Sequence, residues 1–467
     1  MVAKKNLCVL ILAAGKGTRM KSSLPKPLHA VCGAPIISYI LKAAQTLSPA
    51  AIGVVVGHES DQVIEAIKTG LPAWGVSAPV VFVKQTELTG SGSAVKAAIP
   101  LLQKFENVLI LNGDTPLLSS KTLEEMLKGF FAQKSAAMVL SVTVPNPYGY
   151  GRIVRNAQGE FEAIVEEADA DKETKQIAEI NSGMYVFNAK SLQAALSQLL
   201  PQGPKNEYYL TDTLYLIKQM NQPVHVFTAP DFTEALGVNS KAQLAEADQI
   251  LRARTAVRLM NEGVTLVNPQ EVYIDEQVKI GPDTVVYPGT YLLGKTVIGS
   301  NCIIEGGVYV KDSTIGDNVT LKMGTYIEES TVEDTCQLGP YAHLRPQSVL
   351  KKGAKVGNFS EIKKSVIGEG SKVNHLSYIG DTQMGAGVNV GAGTITCNYD
   401  GVKKHQTIIE DHVFIGSNVN FVAPVTVRQY AKIGAGSTIT KEVPAKSLGI
   451  ARSRQVVLEN KGVKTND

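Results

Sequence analysis

The sequence lacks the features that define several large classes of protein. Its 46 Lys and Arg residues are balanced by 43 Asp and Glu residues, which leaves a net charge of only +3. Nucleic-acid-binding proteins need a clearly basic surface, so we expect no nucleic-acid partner. The N-terminal apolar run, LCVLILAAG, is far below the roughly 18 residues of a membrane span. We therefore expect no membrane association.

Cysteine is scarce and has no paired spacing. The five cysteines are odd in number, widely separated and without a C-x-x-C motif: Cys8, Cys32, Cys302, Cys336 and Cys397. This usage predicts reduced thiols in a cytoplasmic protein, with neither a disulfide framework nor a zinc site. Lys4 and Lys5 before the first apolar run imitate a secretory signal. That run leads into a glycine loop, however, which favours a strand followed by a turn.

The length and the distribution of glycine indicate more than one architecture. A chain of 467 residues is too long for one ordinary core. Residues 1–262 contain 17 glycines and the shorter stretch 263–467 contains 25. We predict a first domain over residues 1–239, a linker helix over 240–262 and a second domain over 263–467.

Residues 1–239 alternate short apolar runs with helix-compatible segments. The runs include LCVLILAAG, AIGVVVGH, NVLILNGD, AAMVLSVTV and GMYVFN, and the segments include PIISYILKAAQTL, DQVIEAIKTG, KTLEEMLKGF and SLQAALSQLL. This order predicts a mostly parallel sheet with helices on its faces. Ser240 and Gln243 form a capping box, and Gly263 closes the segment that follows. The apolar residues of this linker helix form a broad stripe interrupted by arginines, so we expect it to be largely exposed.

The second domain repeats its apolar residues every six positions. One run keeps perfect register: Ile409, Ile415, Phe421, Val427, Ile433 and Ile439. In most units a small or β-branched residue stands four places later, as Ser437 does after Ile433. An amphipathic helix cannot produce a period of six. Each unit is therefore predicted to form one short face of a β-helix.

The segment LAAGKGTRM, residues 12–20, has the composition of a phosphate-binding loop. Gly15 and Gly17 let the backbone approach a phosphate, while Lys16 and Arg19 add positive charge. The spacing is not that of a Walker A loop, and Met20 stands where a dinucleotide fingerprint has its third glycine. A plain strand-to-helix turn stays open as an alternative from this segment alone.

Two further motifs of the first domain carry charge. LPKPLH places Lys26 between prolines that stiffen its loop, which suits an electrostatic clamp on a phosphoryl group. LNGDTPLL places Asp114 at the end of an apolar run, where open α/β sheets bind their ligands. Beside a phosphate loop we interpret Asp114 as a ligand of Mg²⁺, which prefers oxygen donors. A simple turn cap is the alternative.

The second domain is expected to carry chemistry where its repeat is interrupted. Residues 391–409, GAGTITCNYDGVKKHQTII, break the register and predict a projecting loop. Lys403, Lys404 and His405 within it could form only a solvated tip. His375 occupies neither inward position of its unit and is predicted to point outward, where a histidine is often only a surface residue.

The ordered motifs together resemble a known family. LAAGKGTRM, LPKPLH, QTELTGSGSA, NGDTPLL, YGYGRIV, IVEEADA, INSGMYVF, NEYYLTD and GVNS resemble the sugar-nucleotide pyrophosphorylases. With HLSYIGD and GAGTITCNYDG in the repeats, nearly the whole chain is similar to the bacterial bifunctional N-acetylglucosamine-1-phosphate uridyltransferases and glucosamine-1-phosphate acetyltransferases. The resemblance implies a Rossmann-like α/β nucleotidyltransferase followed by a left-handed parallel β-helix. It also implies two consecutive reactions in UDP-N-acetylglucosamine synthesis, with UTP and acetyl-CoA as cosubstrates.

For the first domain the resemblance implies a nucleotide and sugar site with a metal. The implied nucleotide-binding positions are Leu12, Ala13, Ala14, Gly15, Arg19, Lys26, Asn112 and Gly113, with Gln85, Gly90 and Ser91 around the uracil. The implied sugar contacts are Gly151, Glu166 and Asn181, and the implied Mg²⁺ ligands are Asp114 and Asn239. Ser91 replaces a threonine and Asn112 a tyrosine of the usual family pattern, and both replacements keep hydrogen-bonding ability.

For the second domain the resemblance implies an acetyltransferase site. His375 would be the general base that activates the 2-amino group of glucosamine 1-phosphate. The implied sugar-phosphate contacts are Arg345, Lys363, Tyr378 and Asn389, and the implied acetyl-CoA contacts are Ala392, Asn398, Tyr399, Ser417, Ala435 and Arg452. A homotrimer is implied as well, with the loop around Asn398 and Tyr399 reaching a neighbouring chain.

Two other functions remain as alternatives. The repeat domain could serve only assembly or regulation beside an active nucleotidyltransferase, although intact HLSYIGD and CNYDG argue against this. The chain could also be a binding protein that carries a relic nucleotide fold. The presence of Lys26, Asp114 and Asn239 together argues against that second alternative.

Overall fold

The computed structural model of the chain describes residues 6–57, 60–202, 206–459 and 461–462. Lys4 and Lys5, which imitate a secretory signal in the sequence, lie outside these residues. The chain divides into two compact units, residues 1–251 and 252–467. Among the described helices, none is both long and apolar enough to cross a bilayer.

The first unit is an α/β domain. Its strands are β1 (Leu7–Leu12), β2 (Ala30–Val31), β3 (Ala34–Pro35), β4 (Ala51–Val56), β5 (Val80–Lys84), β6 (Asn107–Asn112), β7 (Ala137–Thr143), β8 (Arg152–Arg155), β9 (Phe161–Val165), β10 (Glu179–Asn188) and β11 (Val224–Ala229). Its helices are α1 (Ile36–Thr46), α2 (Ser60–Gly70), α3 (Ser91–Ala97), α4 (Ile99–Leu102), α5 (Ser120–Ala132), α6 (Ala189–Gln198) and α7 (Asp212–Gln219). Short 3₁₀ turns cover Thr18–Met20, Lys26–Leu28, Thr174–Gln176 and Phe232–Ala235.

Nine of these strands form one sheet, and the small β2 and β3 pair with each other. The main path runs β11-β7-β10-β6-β1-β4-β5, and beside it β8 pairs with β10 while β9 pairs with β8. β10 is antiparallel to both of its neighbours on this path, while the other described pairs on the path are parallel. All six residues of β4 are buried, as expected for a parallel strand covered by helices on both faces. The predicted mostly parallel sheet is confirmed.

Helix α8 (Lys241–Asn261) contains the division between the units. The hydroxyl of Ser240 accepts the N–H of Gln243 at 3.2 Å, so the predicted cap forms. Ala247 and Leu251 pack into a core cluster of the first unit. Ala256 and Leu259 belong to the core of the second unit. The apolar stripe of this helix therefore contributes to two separate cores, and much of the remaining helix surface is exposed.

The second unit is a left-handed parallel β-helix with three faces, and a 3₁₀ turn at Pro269–Glu271 lies between its first two strands. The first face contains Thr265–Leu266, Val285–Val286, Ile303–Ile304, Thr320–Leu321, Gln337–Leu338, Lys355–Asn358, Lys372–His375, Asn389–Val390, Phe414–Ile415, Lys432–Ile433 and Leu448–Gly449. The second face contains Tyr273–Ile274, Tyr291–Leu293, Tyr309–Lys311, Tyr326–Glu328, His343–Leu344, Glu361–Lys363, Tyr378–Gly380, Ile395–Cys397, Asn420–Val422 and Thr438–Ile439. The third face contains Lys279–Ile280, Val297–Ile298, Thr314–Ile315, Thr331–Val332, Val349–Leu350, Val366–Ile367, Thr382–Met384, Thr407–Ile409 and Val425–Val427.

Successive strands of each face pair in parallel register, so three six-residue units make one coil. Ile433 and Ser437 are both buried, at 2% and 0% exposure, which confirms the predicted inward positions. The insertion lies in the coil that joins Ile395 to its partner Asn420, a longer step than the 18 residues between Tyr273 and Tyr291. The repeat itself therefore resumes in register on both sides of the insertion.

Most of the cysteines lie in the interior. All five are free thiols, and four of them are buried. Burial raises the pKa of Cys8 to about 12 and that of Cys336 to about 11, so both remain protonated at neutral pH.

Candidate functional sites

The glycine loop of LAAGKGTRM and the NGD motif meet at one edge of the sheet. Leu12 at the end of β1 pairs with Asn112 at the end of β6, and the N–H of Gly113 donates to the carbonyl of Leu12 at 2.9 Å. The segments that follow both strands line a cleft of about 310 Å³. The carboxyl edge predicted from the apolar runs is thus a concave site.

This cleft collects many of the predicted residues and several others. Those predicted from sequence are Leu12, Ala13, Gly15, Lys26, Asn112, Gly113, Asp114 and Asn239. Those not predicted are Pro27, Thr115, Tyr150, Ser182, Ala235 and Gly237. Most of the residues that were not predicted are sequence neighbours of motif residues. That adjacency is the sequence feature that could have identified them.

Three polar side chains meet inside the cleft. The Nζ atom of Lys26 lies 2.5 Å from Oδ2 of Asp114 and 3.0 Å from Oδ1 of Asn239. The side chains of Lys26 and Asp114 are only 13% and 21% exposed. Asn239 is held in turn, because its N–H donates to Oε1 of Gln243 at 2.9 Å. The oxygens of Asp114 and Asn239 therefore point at one cationic centre.

The glycine loop packs directly on Lys26. Gly17 has φ +61°, and a Cβ atom there would lie 2.9 Å from the Cβ of Lys26. A larger residue would be strained and would push the lysine away. Of the other predicted loop residues, Ala14 is buried, while Arg19 lies exposed in the turn Thr18–Met20. Neither of these two lines the cleft.

The residues predicted around the uracil form a tightly bonded loop at the start of α3. Gln85 is 6% exposed, and its Nε2 donates to the Oγ of Ser93 at 2.7 Å. Gly90 has φ +103°, and a Cβ there would lie 2.5 Å from the carbonyl oxygen of Tyr208. The hydroxyl of Ser91 accepts a backbone N–H of the NEYYLTD segment at 3.1 Å. The loop is therefore held by local bonds and does not line the central cleft.

The residues predicted to hold the sugar lie on β10 and at the ends of β8 and β9. The N–H of Asn181 donates to the carbonyl of Gly151 at 2.8 Å. Burial raises the pKa of the Glu166 carboxyl, and the nearby carboxylates of Asp212 and Asp169 raise it further. Glu166 is thus an acidic group held in a partly desolvated position, as many ligand-binding carboxylates are.

Arg152 is a residue of this region that the sequence did not single out. It is 1% exposed, and its Nη2 donates to Oε2 of Glu167 at 2.7 Å. Its Nη1 donates to the carbonyl of Tyr150. Because Arg152 follows Gly151 and Glu167 follows Glu166, this ion pair fixes the two sugar-site segments against each other. Its position inside the YGYGRIV motif is the sequence feature that could have identified Arg152.

In the second unit, four residues predicted for the acetyltransferase site and one that was not predicted form a column at the corner after the first face. This corner column consists of Asn358, His375, Ala392, Ser417 and Ala435. On each coil from His375 onward, the residue after the column residue donates its backbone N–H to the carbonyl oxygen of the column residue one coil earlier. These distances are 2.7–3.3 Å. Four positions predicted from separate motifs thus line up along one edge of the β-helix.

The imidazole of His375 is oriented by a neighbour in this column. His375 is exposed, and its Nδ1 lies 2.9 Å from Oδ1 of Asn358. An amide oxygen only accepts hydrogen bonds, so this contact requires a proton on Nδ1, and in the neutral ring that tautomer leaves the lone pair on Nε2. Asn358 was not predicted, although its position 17 residues before His375 is one coil away.

Arg452 closes the far end of the corner column. Its Nη1 donates to the carbonyl oxygen of Ala435 at 2.7 Å. Arg452 lies beyond the last strict repeat, and this contact attaches the C-terminal segment to the same corner that carries His375.

The predicted sugar-phosphate residues lie mainly on the second face. Arg345 is adjacent to Lys363 in register, and its Nη1 lies 2.9 Å from Oε1 of Glu361. Tyr378 pairs with Glu361 on the next coil. Asn389 is the exception, because it lies on the first face, three residues before the corner column. The site therefore extends over two faces and the corner between them.

The insertion is anchored in its own chain at its base. Asn398 is 7% exposed, and its Nδ2 donates to Oδ2 of Asp381 at 2.6 Å. Tyr399 is 60% exposed, and a contact of 2.6 Å between Nε2 of His405 and Oδ2 of Asp400 closes the tip. Of the two residues expected to reach a neighbouring chain, Tyr399 is exposed, with its hydroxyl donating to the carbonyl of Gly401 at 2.6 Å, and Asn398 is buried.

Lys404 turns back from the insertion toward the second face. The ammonium group of Lys363 beside it lowers the pKa of Lys404, and Asp381 and Tyr378 oppose that effect. Two cationic groups held this close favour an anion between them. Lys404 therefore lies beside Lys363, one of the residues predicted to bind the sugar phosphate.

Matches to known protein families cover both units of the chain. Residues 9–206 match the MobA-like NTP transferase domain. Residues 268–358 match the GMPPB C-terminal domain, and residues 406–441 match the bacterial transferase hexapeptide model with six repeats. The fold and both sites thus define a nucleotidyltransferase joined to a hexapeptide-repeat transferase in one chain.

Two relatives identify the family. The bifunctional protein GlmU of Carboxydothermus hydrogenoformans is 48% identical over 97% of this chain and 99% of its own length. The protein of the same name from Heliobacterium modesticaldum is 47% identical over 97% of this chain and 96% of its own length. The chain belongs to the GlmU family. This confirms the predicted bifunctional enzyme with uridyltransferase and acetyltransferase activities.

Proposed function

We propose that the corner column of the second unit is the acetyltransferase site. Nε2 of His375 takes a proton from the 2-amino group of glucosamine 1-phosphate while the nitrogen attacks the thioester carbonyl of acetyl-CoA. The C–S bond breaks, CoA leaves as the thiol, and N-acetylglucosamine 1-phosphate is formed. Asn358 supports this role, because its bond to Nδ1 keeps the basic nitrogen directed outward.

The cations of the second face are proposed to bind the sugar phosphate. Arg345, Lys363 and Lys404 supply positive charge within one region of that face. A bound phosphate relieves the repulsion between the two lysines, which favours binding. Tyr378 and Asn389 orient the sugar in this proposal. Acetyl-CoA runs along the corner column past Ala392, Ser417 and Ala435 and ends near Arg452, and Asn398 and Tyr399 reach it from a neighbouring chain.

The cleft of the first unit is proposed to perform the uridylyl transfer. The phosphate of N-acetylglucosamine 1-phosphate attacks the α-phosphorus of UTP, forms the new P–O bond and expels pyrophosphate. Lys26 and the backbone of the glycine loop neutralise the phosphates, while Glu166, Asn181 and Gly151 hold the sugar. These residues mainly orient substrates and stabilise charge.

Mg²⁺ is the proposed metal of this cleft, with Asp114 and Asn239 as its protein ligands. One observation carries the assignment: both oxygens already converge on a single cationic group, the Lys26 ammonium. The described residues contain no cluster of three or more His, Cys, Asp or Glu side chains suited to a metal. A site with one carboxylate and one amide fits Mg²⁺, which keeps waters and substrate phosphates as its other ligands. When bound, the ion neutralises charge on the transferring phosphate.

A homotrimer is proposed as the assembly. Tyr341, Phe359 and Leu376 follow the corner on successive coils and are 50%, 58% and 62% exposed. An apolar ridge beside His375 supports coverage by another copy of the chain. Sedimentation at the mass of three chains is expected. Full acetyltransferase activity in a monomer would contradict it.

The free thiols and the cosubstrates UTP and acetyl-CoA support a cytoplasmic location.

An omission assay tests the two-step proposal. With glucosamine 1-phosphate, acetyl-CoA, UTP and Mg²⁺, both CoA and pyrophosphate should be released. Without acetyl-CoA, pyrophosphate release should stop, and added N-acetylglucosamine 1-phosphate should restore it. If the repeat domain were not catalytic, CoA would never be released while the restored reaction proceeded normally.

A further inference from the structure

The ammonium group of Lys26 lies where a cation bound by Asp114 and Asn239 would lie. Its Nζ is 2.5 Å from the carboxylate oxygen and 3.0 Å from the amide oxygen. We propose that Lys26 is an internal competitor for the metal, so that the divalent ion enters this cleft only when a phosphate draws the lysine away. This inference rests on the proposed role of Asp114 and Asn239 as metal ligands.

Geometry makes the two cations mutually exclusive. Mg²⁺ binds oxygen ligands at about 2.0–2.1 Å, so an ion bound to both oxygens would occupy nearly the same point as the ammonium nitrogen. The side chains of Lys26 and Asp114 are mostly buried, at 13% and 21% exposure, so solvent screens their charges only in part. Gly17 packs against the lysine stem and helps to hold it in place. The metal must therefore displace the lysine.

Nucleotide phosphates provide the reason for the lysine to leave. The glycine loop that packs on Lys26 is the proposed phosphate-binding segment, so a bound triphosphate offers the ammonium group a more negative partner than Asp114. Once Lys26 turns to the phosphate, the oxygens of Asp114 and Asn239 become free for the metal. Metal and nucleotide then favour each other's binding, and thermodynamic linkage makes that effect reciprocal.

Metal binding without nucleotide tests this competition directly. The probe is Mn²⁺, followed by the electron paramagnetic resonance signal of the free ion, with the full-length chain. Lys26→Met should bind Mn²⁺ roughly tenfold more tightly than the wild type, because a like charge has been removed from the ion's position. Lys26→Gln serves as a second variant with a polar side chain and should show the same direction of change.

Lys16→Met is the matched control for charge. It removes one lysine from the same glycine loop, but Lys16 is exposed and does not line the cleft. Its Mn²⁺ affinity should stay within about twofold of the wild type, since an exposed charge is well screened. Melting temperature gives an independent readout: added Mn²⁺ should raise that of Lys26→Met more than that of the wild type, because ligands stabilise the state that binds them.

A double variant separates failure of this inference from failure of the metal assignment. Lys26→Met with Asp114→Ala should lose the tight Mn²⁺ site. If tight binding persisted in the double variant, Asp114 would not be a ligand, and the proposed metal site would be wrong. If both Lys26 variants bound Mn²⁺ no more tightly than Lys16→Met, while Asp114→Ala still lowered metal binding, the ligands would stand and the competition would be refuted.

Discussion

The two sites of this chain are built by opposite means. In the first unit, Asp114, Asn239 and Lys26 come from three distant segments and meet only because β1 and β6 end side by side. In the second unit, His375 and Asn358 occupy the same position of successive coils. The first site depends on long-range topology, whereas the second repeats one backbone position along an edge.

The two sites should therefore respond differently to amino-acid substitutions. In the cleft, single contacts such as that of Lys26 with Asn239 join segments more than 200 residues apart, so one substitution can separate several elements. Along the corner column, each residue touches its neighbours one coil away. A substitution there should change chemistry locally and leave the β-helix intact.

Metal removal should produce the largest contrast between the two units. EDTA should reduce uridylyl transfer roughly 10³-fold or more, because the proposed ion neutralises the transferring phosphate. Acetyl transfer uses no proposed metal ligand and should keep its rate. Pyrophosphate and CoA release are measured in parallel, and excess Mg²⁺ should restore the first activity. Equal loss of both activities would remove the distinction between the sites.

Asn358→Ala should give the next largest effect, confined to acetyl transfer. Without the amide oxygen the imidazole of His375 loses its fixed orientation, and we expect kcat to fall roughly tenfold. Asn358→Asp keeps an acceptor and adds a negative charge that favours the imidazolium form. Its rate profile should therefore shift to higher pH. An unshifted profile would show that residue 358 has only a structural role, and uridylyl transfer is the internal control.

Lys404→Met should have a smaller effect on one substrate. The KM for glucosamine 1-phosphate should rise about fivefold, since exposed charge pairs contribute modestly. The KM for acetyl-CoA should stay unchanged, because Lys404 lies beside Lys363 and away from the corner column. Lys403→Met is the matched control from the same insertion. Equal effects of the two variants would place the sugar phosphate elsewhere.

Glu166→Gln should stabilise the first unit slightly while it weakens sugar binding. The pKa of Glu166 is raised in the folded chain, mainly by burial, so ionisation of this group destabilises the fold above the unfolded pKa. At pH 7 the variant should melt at a higher temperature than the wild type. The difference should vanish near pH 4, roughly the unfolded pKa, where both forms are largely neutral. A variant that melts lower at pH 7 would contradict the sign of this shift.

Much of the architecture could be predicted because it is periodic. The six-residue period fixed the inward residues of the β-helix, and the alternation of apolar runs gave the mostly parallel sheet. The glycine loop, Lys26 and Asp114 could be singled out because glycines follow β1, prolines flank the lysine, and the carboxylate stands after β6. Asn239 came only with the family resemblance, since an asparagine before a helix is usually a cap.

The partners of the site residues could not be predicted. Asn358 lies one coil before His375, but outward asparagines are common on β-helices, and only the register shows which one meets the imidazole. The position of Lys404 beside Lys363 could not be predicted, because the return path of an insertion is not encoded in the period. Arg152 looked like an ordinary strand residue until its buried contact with Glu167 became visible.

The two activities of this chain are assigned to two separate sites, one in each unit. The most direct measurement follows CoA and pyrophosphate release together in full-length Asp114→Ala and His375→Ala, with each reaction given its own substrates. Asp114→Ala should lose pyrophosphate release and keep CoA release, and His375→Ala should lose CoA release, by roughly 10²-fold or more, and keep pyrophosphate release. If either substitution reduced both activities equally in a folded protein, the account of two independent sites would be contradicted.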